Sequence, residues 1–140
     1  AVELMKKEHV EHMENLNRML IKEALKIEES KLNGPMPGRN RLCNIANFSF
    51  KWVEGEALVL KLDNKGIAAS TGSACSSHSL EPSHVLLAIG LHPEDAHGSI
   101  RLSVGKENTK EEIKYTLACL EDAVSDLRKS SPFYKIKKQK

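Results

Sequence analysis

The chain has 140 residues, of which 40% are hydrophobic and 29% are charged, and its formal net charge is +2. This composition is typical of one globular domain, and the small charge gives no reason to expect a nucleic-acid partner. No apolar run approaches the ~18 residues of a membrane-spanning helix. The three cysteines are widely spaced, which argues against a disulfide framework and favours a reducing compartment.

The first half of the chain predicts two helices on either side of a strand. Apolar residues recur at helical spacing from Val2 to about Ile27, as in one long amphipathic helix. A loop rich in Gly and Pro follows at 33–40, and alternation over Leu42–Phe50 predicts a strand with one buried face. Residues Glu54–Leu62 predict a short helix. Because the chain begins inside a helical pattern without a capping residue, we expect it to be a fragment.

The second half predicts two further strands and two helices. The short apolar segment Ile67–Ala69 predicts a strand, and the segment 80–89 predicts a helix with Pro82 in its first turn. Residues 99–104 alternate between apolar and polar side chains, as in a strand with one buried face. Thr109 opens a capping box, after which a long final helix follows.

Helices and strands therefore alternate along the chain, with long helices at both ends. We predict an α+β fold in which helices cover one face of a small sheet. The pattern does not predict the order of the strands.

The segment 70–79, STGSACSSHS, surrounds Cys75 with small polar residues. A thiolate is a nucleophile, but an ordinary cysteine with a pKa near 8.5 is only slightly ionised at neutral pH. Gly72 and the serines anchor the backbone poorly, so the segment predicts a flexible tether for a thiol that visits two places. The alternative is a serine-rich connector with an incidental cysteine, and composition alone leaves both open.

Arg101 lies on the polar side of the last predicted strand. A guanidinium held on a rigid strand can bind a carboxylate through two parallel hydrogen bonds. An ordinary salt bridge or a solvated arginine is the alternative.

A metal site is not predicted. Cys75 and His78 have the spacing of a ligand pair, and three further histidines follow at positions 84, 92 and 97. A structural zinc site has two compact ligand pairs, and the sequence offers no second pair.

The run KGIAASTGSACSSHSLEPSHVLLAIG, residues 65–90, resembles the active-cysteine segment of cysteine desulfurases of the NifS/IscS type. The motifs G-S-A-C-x-S and S-L-E-P-S are specific to that family. The resemblance continues in the segments 32–35, 44–50, 53–56 and 96–105, and so covers nearly the whole chain. His78 stands where a small residue is more usual, and Cys43 where an unreactive residue is expected.

This resemblance implies a pyridoxal-phosphate enzyme of the aspartate-aminotransferase fold, usually a homodimer. Such enzymes convert L-cysteine to L-alanine and keep the sulfur as a persulfide for an iron–sulfur scaffold or another acceptor protein. By position, Cys75 is the nucleophile and persulfide carrier, and Arg101 binds the substrate α-carboxylate. The tether around Cys75 would let the thiol reach the cofactor and then the acceptor.

The resemblance also implies that part of the enzyme lies outside this sequence. The cofactor-binding lysine of the family follows a histidine in the large domain, and no His-Lys pair occurs here. We therefore expect 1–30 to be an entry helix from a missing large domain, and 31–140 to be the small C-terminal domain. The chain alone should bind no cofactor and be inactive, and the intact enzyme should be cytoplasmic, or mitochondrial in a eukaryote.

Two other functions are compatible with the residues. The chain could be a stand-alone sulfur carrier or docking module that receives sulfane sulfur on Cys75 without cofactor chemistry. It could also be an inert structural domain, in which case Cys75 should react no faster than Cys43 or Cys119.

Overall fold

The computed structural model describes residues 7–38, 40–71 and 82–137. The elements in these residues are α1 (Lys7–Ala24), β1 (Ser30–Leu32), β2 (Ile45–Phe50), α2 (Gly55–Asp63), α3 (His84–Ala88), α4 (Pro93–His97), β3 (Ser99–Ser103), α5 (Lys110–Ser130) and α6 (Pro132–Lys137). The strands form an antiparallel sheet in the order β1-β2-β3, so each strand pairs with its neighbour along the chain.

One face of the sheet is apolar and is covered by α1, α2 and α5. Ala46 pairs with Leu102 and Phe48 pairs with Ile100 across β2 and β3, and all four residues are buried. They share one core with buried residues of the three helices. Alternate residues of a strand point to opposite faces, which is why the period of two in these strands separates the core from the polar face. The predicted α+β fold, with helices over one face of a small sheet, is confirmed.

Two glycines let backbone segments approach closely around β3. A Cβ atom on Gly55, at the start of α2, would lie 2.6 Å from the carbonyl oxygen of Ser99. A Cβ atom on Gly98, just before β3, would lie 2.6 Å from the carbonyl oxygen of Phe50. Any larger residue would push these segments apart, so both glycines help to fix β3 against its neighbours.

The capping box at the start of α5 is confirmed. The Thr109 hydroxyl accepts the N–H of Glu112, and the Glu112 carboxylate accepts the N–H of Thr109. Hydrogen bonds from the Thr109 backbone and the Asn108 side chain lower the pKa of Glu112. The stabilisation from this carboxylate is therefore present above its ordinary pKa and is lost as the pH falls through the lowered one.

Replacing Thr109 with alanine is expected to lower the free energy of unfolding by about 1 kcal/mol, because the Glu112 N–H in the first turn of α5 loses its side-chain acceptor. Thermal or urea unfolding of the two proteins measures the difference. Thr116→Ala, within α5, serves as the control and should be neutral or slightly stabilising, since alanine has the higher helix propensity. Equal stability of wild type and Thr109→Ala would show that the cap is not needed.

The structure corrects several predicted boundaries. The segment Ile67–Ala69 is not a strand, because only Ser70 after it pairs with β3, in a single bridge. The helix predicted over 80–89 begins at His84, so Pro82 precedes α3 and does not lie in its first turn; Leu80 and Glu81 lie outside the described residues. The strand β1 was missed, because three residues are too few to show a period, and so were α4 and α6.

The division of the chain at residue 30 stays a prediction. Helix α1 contributes Met13, Leu16 and Leu20 to the same core as the sheet, and residues 1–6 lie outside the described part of the chain.

Candidate functional site

The polar face of the sheet carries Arg101. As the alternation predicted, Arg101 is exposed while Ile100 and Leu102 on either side of it are buried. Asn47 on β2 lies directly opposite Arg101 in the sheet register. The arginine side chain makes no hydrogen bond or ion pair within the described ranges 7–38, 40–71 and 82–137. None of the described residues therefore competes with a ligand for its guanidinium.

The backbone of Arg101 also holds the entrance to the cysteine segment. The Arg101 N–H donates to the Ser70 carbonyl at 2.6 Å, and the Ser70 N–H donates to the Arg101 carbonyl at 3.1 Å. Cys75 and His78 lie in the segment 72–81, outside the described residues, so the proposed nucleophile stays a prediction. The described chain reaches Thr71 on one side of that segment and resumes at Pro82.

A cavity of about 350 Å³ lies beside Arg101. Its polar lining comes from Arg101, Asn47, Asn33, Arg41 and Ser83, and its apolar lining includes exposed side chains of α3 such as Val85. A volume of this size suits a small molecule. No Asp or Glu of the described residues lines this cavity, whereas two guanidinium groups do. The cavity therefore favours an anionic group.

Arg41 shapes the cavity by anchoring the loop between β1 and β2. Its Nη2, Nε and Nη1 atoms donate to the carbonyl oxygens of Asn33 at 2.6 Å, Pro35 at 2.5 Å and Ile45 at 3.1 Å. Burial lowers the pKa of Arg41. Because this guanidinium is held by backbone carbonyls, Arg101 remains the better candidate for binding a ligand carboxylate.

Asn33 connects that loop to the polar face. Its Nδ2 donates to Asn47 Oδ1 at 2.6 Å and to Ser49 Oγ at 2.8 Å, and its backbone N–H donates to the Asn47 carbonyl at 2.8 Å. The side chain of Asn33 is buried. The sequence pattern assigns no functional role to Asn33, Arg41 or Asn47. Alternation along β2 predicts that Asn47 lies on the face opposite to its apolar neighbours Ala46 and Phe48. Only the strand order places Asn47 beside Arg101.

The other sequence candidates lie elsewhere. Cys43 and Cys119 are partly buried and pack against the main core. In the described part of the chain, no group of three His, Cys, Asp or Glu side chains could hold a metal ion. None of the described helices is both long and apolar enough to cross a membrane.

Comparison with known proteins agrees with the sequence resemblance. The family Aminotransferase class-V matches residues 1–116. The chain is 52% identical over 136 residues to "Cysteine desulfurase IscS" of Clostridium botulinum, covering 96% of this chain and 34% of that protein. It is 47% identical over 138 residues to "Cysteine desulfurase IscS 1" of Archaeoglobus fulgidus, covering 96% and 36%. The chain thus spans about a third of the length of these relatives.

Solved structures give the same fold. A "NIFS-LIKE PROTEIN" superposes with a TM-score of 0.69 at 31% identity, over 83% of this chain and 28% of that chain. A NifS-like protein from Rickettsia africae superposes with a TM-score of 0.71 at 23% identity, over 85% and 30%. The chain therefore shares its fold with the matching part of NifS-like proteins, and it belongs to the aminotransferase class-V family.

Proposed function

We propose that the chain is the C-terminal part of a cysteine desulfurase, which moves sulfur from L-cysteine to Cys75 and releases L-alanine. The observation that carries the proposal is the double role of Arg101. Its side chain lines a cavity to which no Asp or Glu of the described residues contributes, and its backbone pairs with Ser70, at the entrance to the Cys75 segment.

Arg101 would bind the α-carboxylate of L-cysteine. Two parallel N–H donors of a guanidinium match the two oxygens of a carboxylate, and a rigid strand fixes their direction. Since β3 is paired with β2 on one side and bridged to Ser70 on the other, the substrate would be held at a defined place.

Cys75 would take the sulfur. Its thiolate would attack the sulfur of the bound cysteine, so that the new S–S bond forms as the substrate C–S bond breaks. The electron pair of that bond stays on the carbon, which becomes alanine after protonation. A fully extended chain from Ser70 to Cys75 spans at most about 18 Å, so connectivity limits how far Cys75 could lie from the Ser70 bridge to Arg101.

We do not expect the described residues to hold pyridoxal phosphate by themselves. The cofactor needs a lysine to bind it covalently, and no lysine of the described residues lines the cavity beside Arg101. When bound in the full-length protein, the cofactor would supply the electron sink that C–S cleavage needs. The intact enzyme would be a cytoplasmic homodimer that passes the sulfur to an iron–sulfur scaffold or another acceptor protein.

The isolated chain is expected to show no absorbance band of lysine-bound pyridoxal phosphate after incubation with the cofactor, because the family resemblance implies that the binding lysine belongs to the large domain. Absorption spectra, and mass spectra after borohydride reduction, measure this. The full-length protein treated in the same way is the positive control. A stoichiometric borohydride-stable adduct on one lysine of the isolated chain would contradict the expectation.

Alanine production tests the function itself. The full-length protein, incubated with L-cysteine, should release L-alanine in amounts equal to the persulfide sulfur formed. A stand-alone sulfur carrier would instead accept sulfane sulfur on Cys75. It would release no alanine from L-cysteine, even in the full-length protein that includes the large domain. Equal and slow reactivity of Cys75, Cys43 and Cys119 would indicate an inert structural domain.

A further inference from the structure

We propose that Asn47 is a second substrate-binding residue, whose side-chain N–H₂ group binds the substrate α-carboxylate beside Arg101. The inference rests on the function proposed above and assigns part of its substrate specificity to a residue on β2.

The sheet places Asn47 and Arg101 side by side. They are direct partners in the antiparallel register of β2 and β3, so both side chains leave the same face. Directly opposite residues have Cβ atoms about 5 Å apart, a separation that one carboxylate can bridge. Both side chains line the cavity of about 350 Å³.

The orientation of the Asn47 amide is fixed by Asn33. Asn47 Oδ1 accepts the Asn33 Nδ2–H at 2.6 Å, so the Nδ2 group of Asn47 is turned away from Asn33. Within the described ranges of the chain, Asn47 Nδ2 has no acceptor. Asn33 is itself held by Ser49 Oγ, and its carbonyl by Arg41 Nη2. The donor end of Asn47 is thus oriented while its acceptor end is occupied.

A carboxylate has about four acceptor sites, and a guanidinium bound to it through two N–H groups leaves the others open. The N–H₂ group of Asn47 can occupy one of them without adding a charge to the cavity. Hydrogen bonds to charged groups are stronger than those between neutral groups. Asn47 would therefore favour L-cysteine over an amine that has a thiol and no carboxylate.

Asn47→Asp is the sharpest test in the full-length protein. An aspartate keeps the size of the side chain and still accepts the Asn33 Nδ2–H, but it replaces the donor end by a negative oxygen. Asn47→Ala removes the donor without adding charge. Asn64→Asp, the same change at the exposed end of α2, is the matched control. Circular dichroism melts verify that each variant is folded.

The measurement uses two competitors that differ only in the carboxylate, S-methyl-L-cysteine and 2-(methylthio)ethylamine. Inhibition constants are measured against L-cysteine turnover together with KM and kcat. We expect Asn47→Ala to weaken the binding of S-methyl-L-cysteine about tenfold, measured as a rise in its inhibition constant, and Asn47→Asp to weaken this binding further. Binding of 2-(methylthio)ethylamine should change less than twofold in both variants, and Asn64→Asp should match wild type.

Two results would overturn the inference and leave the proposed function standing. If the Asn47 variants bind both competitors more weakly by the same factor, Asn47 has a purely structural role. Wild-type binding of S-methyl-L-cysteine by Asn47→Ala, while Arg101→Ala loses it, would show that Arg101 binds the carboxylate without Asn47. If Arg101→Ala also binds S-methyl-L-cysteine normally, the carboxylate site and the function proposed from it both fail.

Discussion

Replacing Cys75 with serine in the full-length protein is expected to abolish persulfide formation and alanine release from L-cysteine. A hydroxyl is far less acidic than a thiol and is a poor nucleophile toward sulfur, so serine cannot replace the thiolate. Binding of the cofactor and of L-cysteine should persist, because neither needs the thiol. Alanine is quantified by chromatography, and persulfide by alkylation and mass spectrometry.

The chain provides two matched controls for this substitution. Cys43→Ser and Cys119→Ser change thiols that are partly buried and pack against the core, and both variants should release alanine at the wild-type rate. Normal alanine release by Cys75→Ser without an added thiol would refute the role assigned to Cys75. A persulfide found on Cys43 in the wild-type protein would move that role to the other thiol.

Arg101→Ala is expected to weaken binding of L-cysteine by about 2–4 kcal/mol, through loss of two charge-assisted hydrogen bonds to the carboxylate. This corresponds to a roughly 30- to 1,000-fold rise in KM where KM reports binding. Arg101→Lys should restore only part of the loss, because an ammonium group does not reproduce the planar pair of donors. Steady-state kinetics on the three proteins measure both effects.

The fold should tolerate this substitution. The bridge to Ser70 uses only the backbone of Arg101, and the side chain is exposed, so the melting temperature should stay close to that of wild type. Arg18→Ala is the control, since Arg18 is an exposed arginine paired with Glu14 on α1, away from the cavity. A wild-type KM for Arg101→Ala would mean that β3 carries no substrate site.

The amino-acid sequence by itself determined the features that depend on neighbouring residues. The capping box of Thr109 was predicted because its donor and acceptor lie within one turn of helix. The outward direction of Arg101 was predicted because a strand has a period of two and the flanking Ile100 and Leu102 are apolar. The family resemblance could also be recognised from the sequence, since the cysteine segment of the family is a contiguous motif.

The tertiary structure alone decided which distant residues share the site. β1 has three residues and shows no period of its own, so only its pairing with β2 defines it. The strand order depends on long-range hydrogen bonds, and it alone puts Asn47 beside Arg101. Arg41 and Asn33 join them through the loop between β1 and β2, whose conformation is set by hydrogen bonds from Arg41 to Asn33 and from Asn33 to Ser49. Such contacts leave no periodic signal, because each depends on the path of the backbone and not on the spacing of residue types.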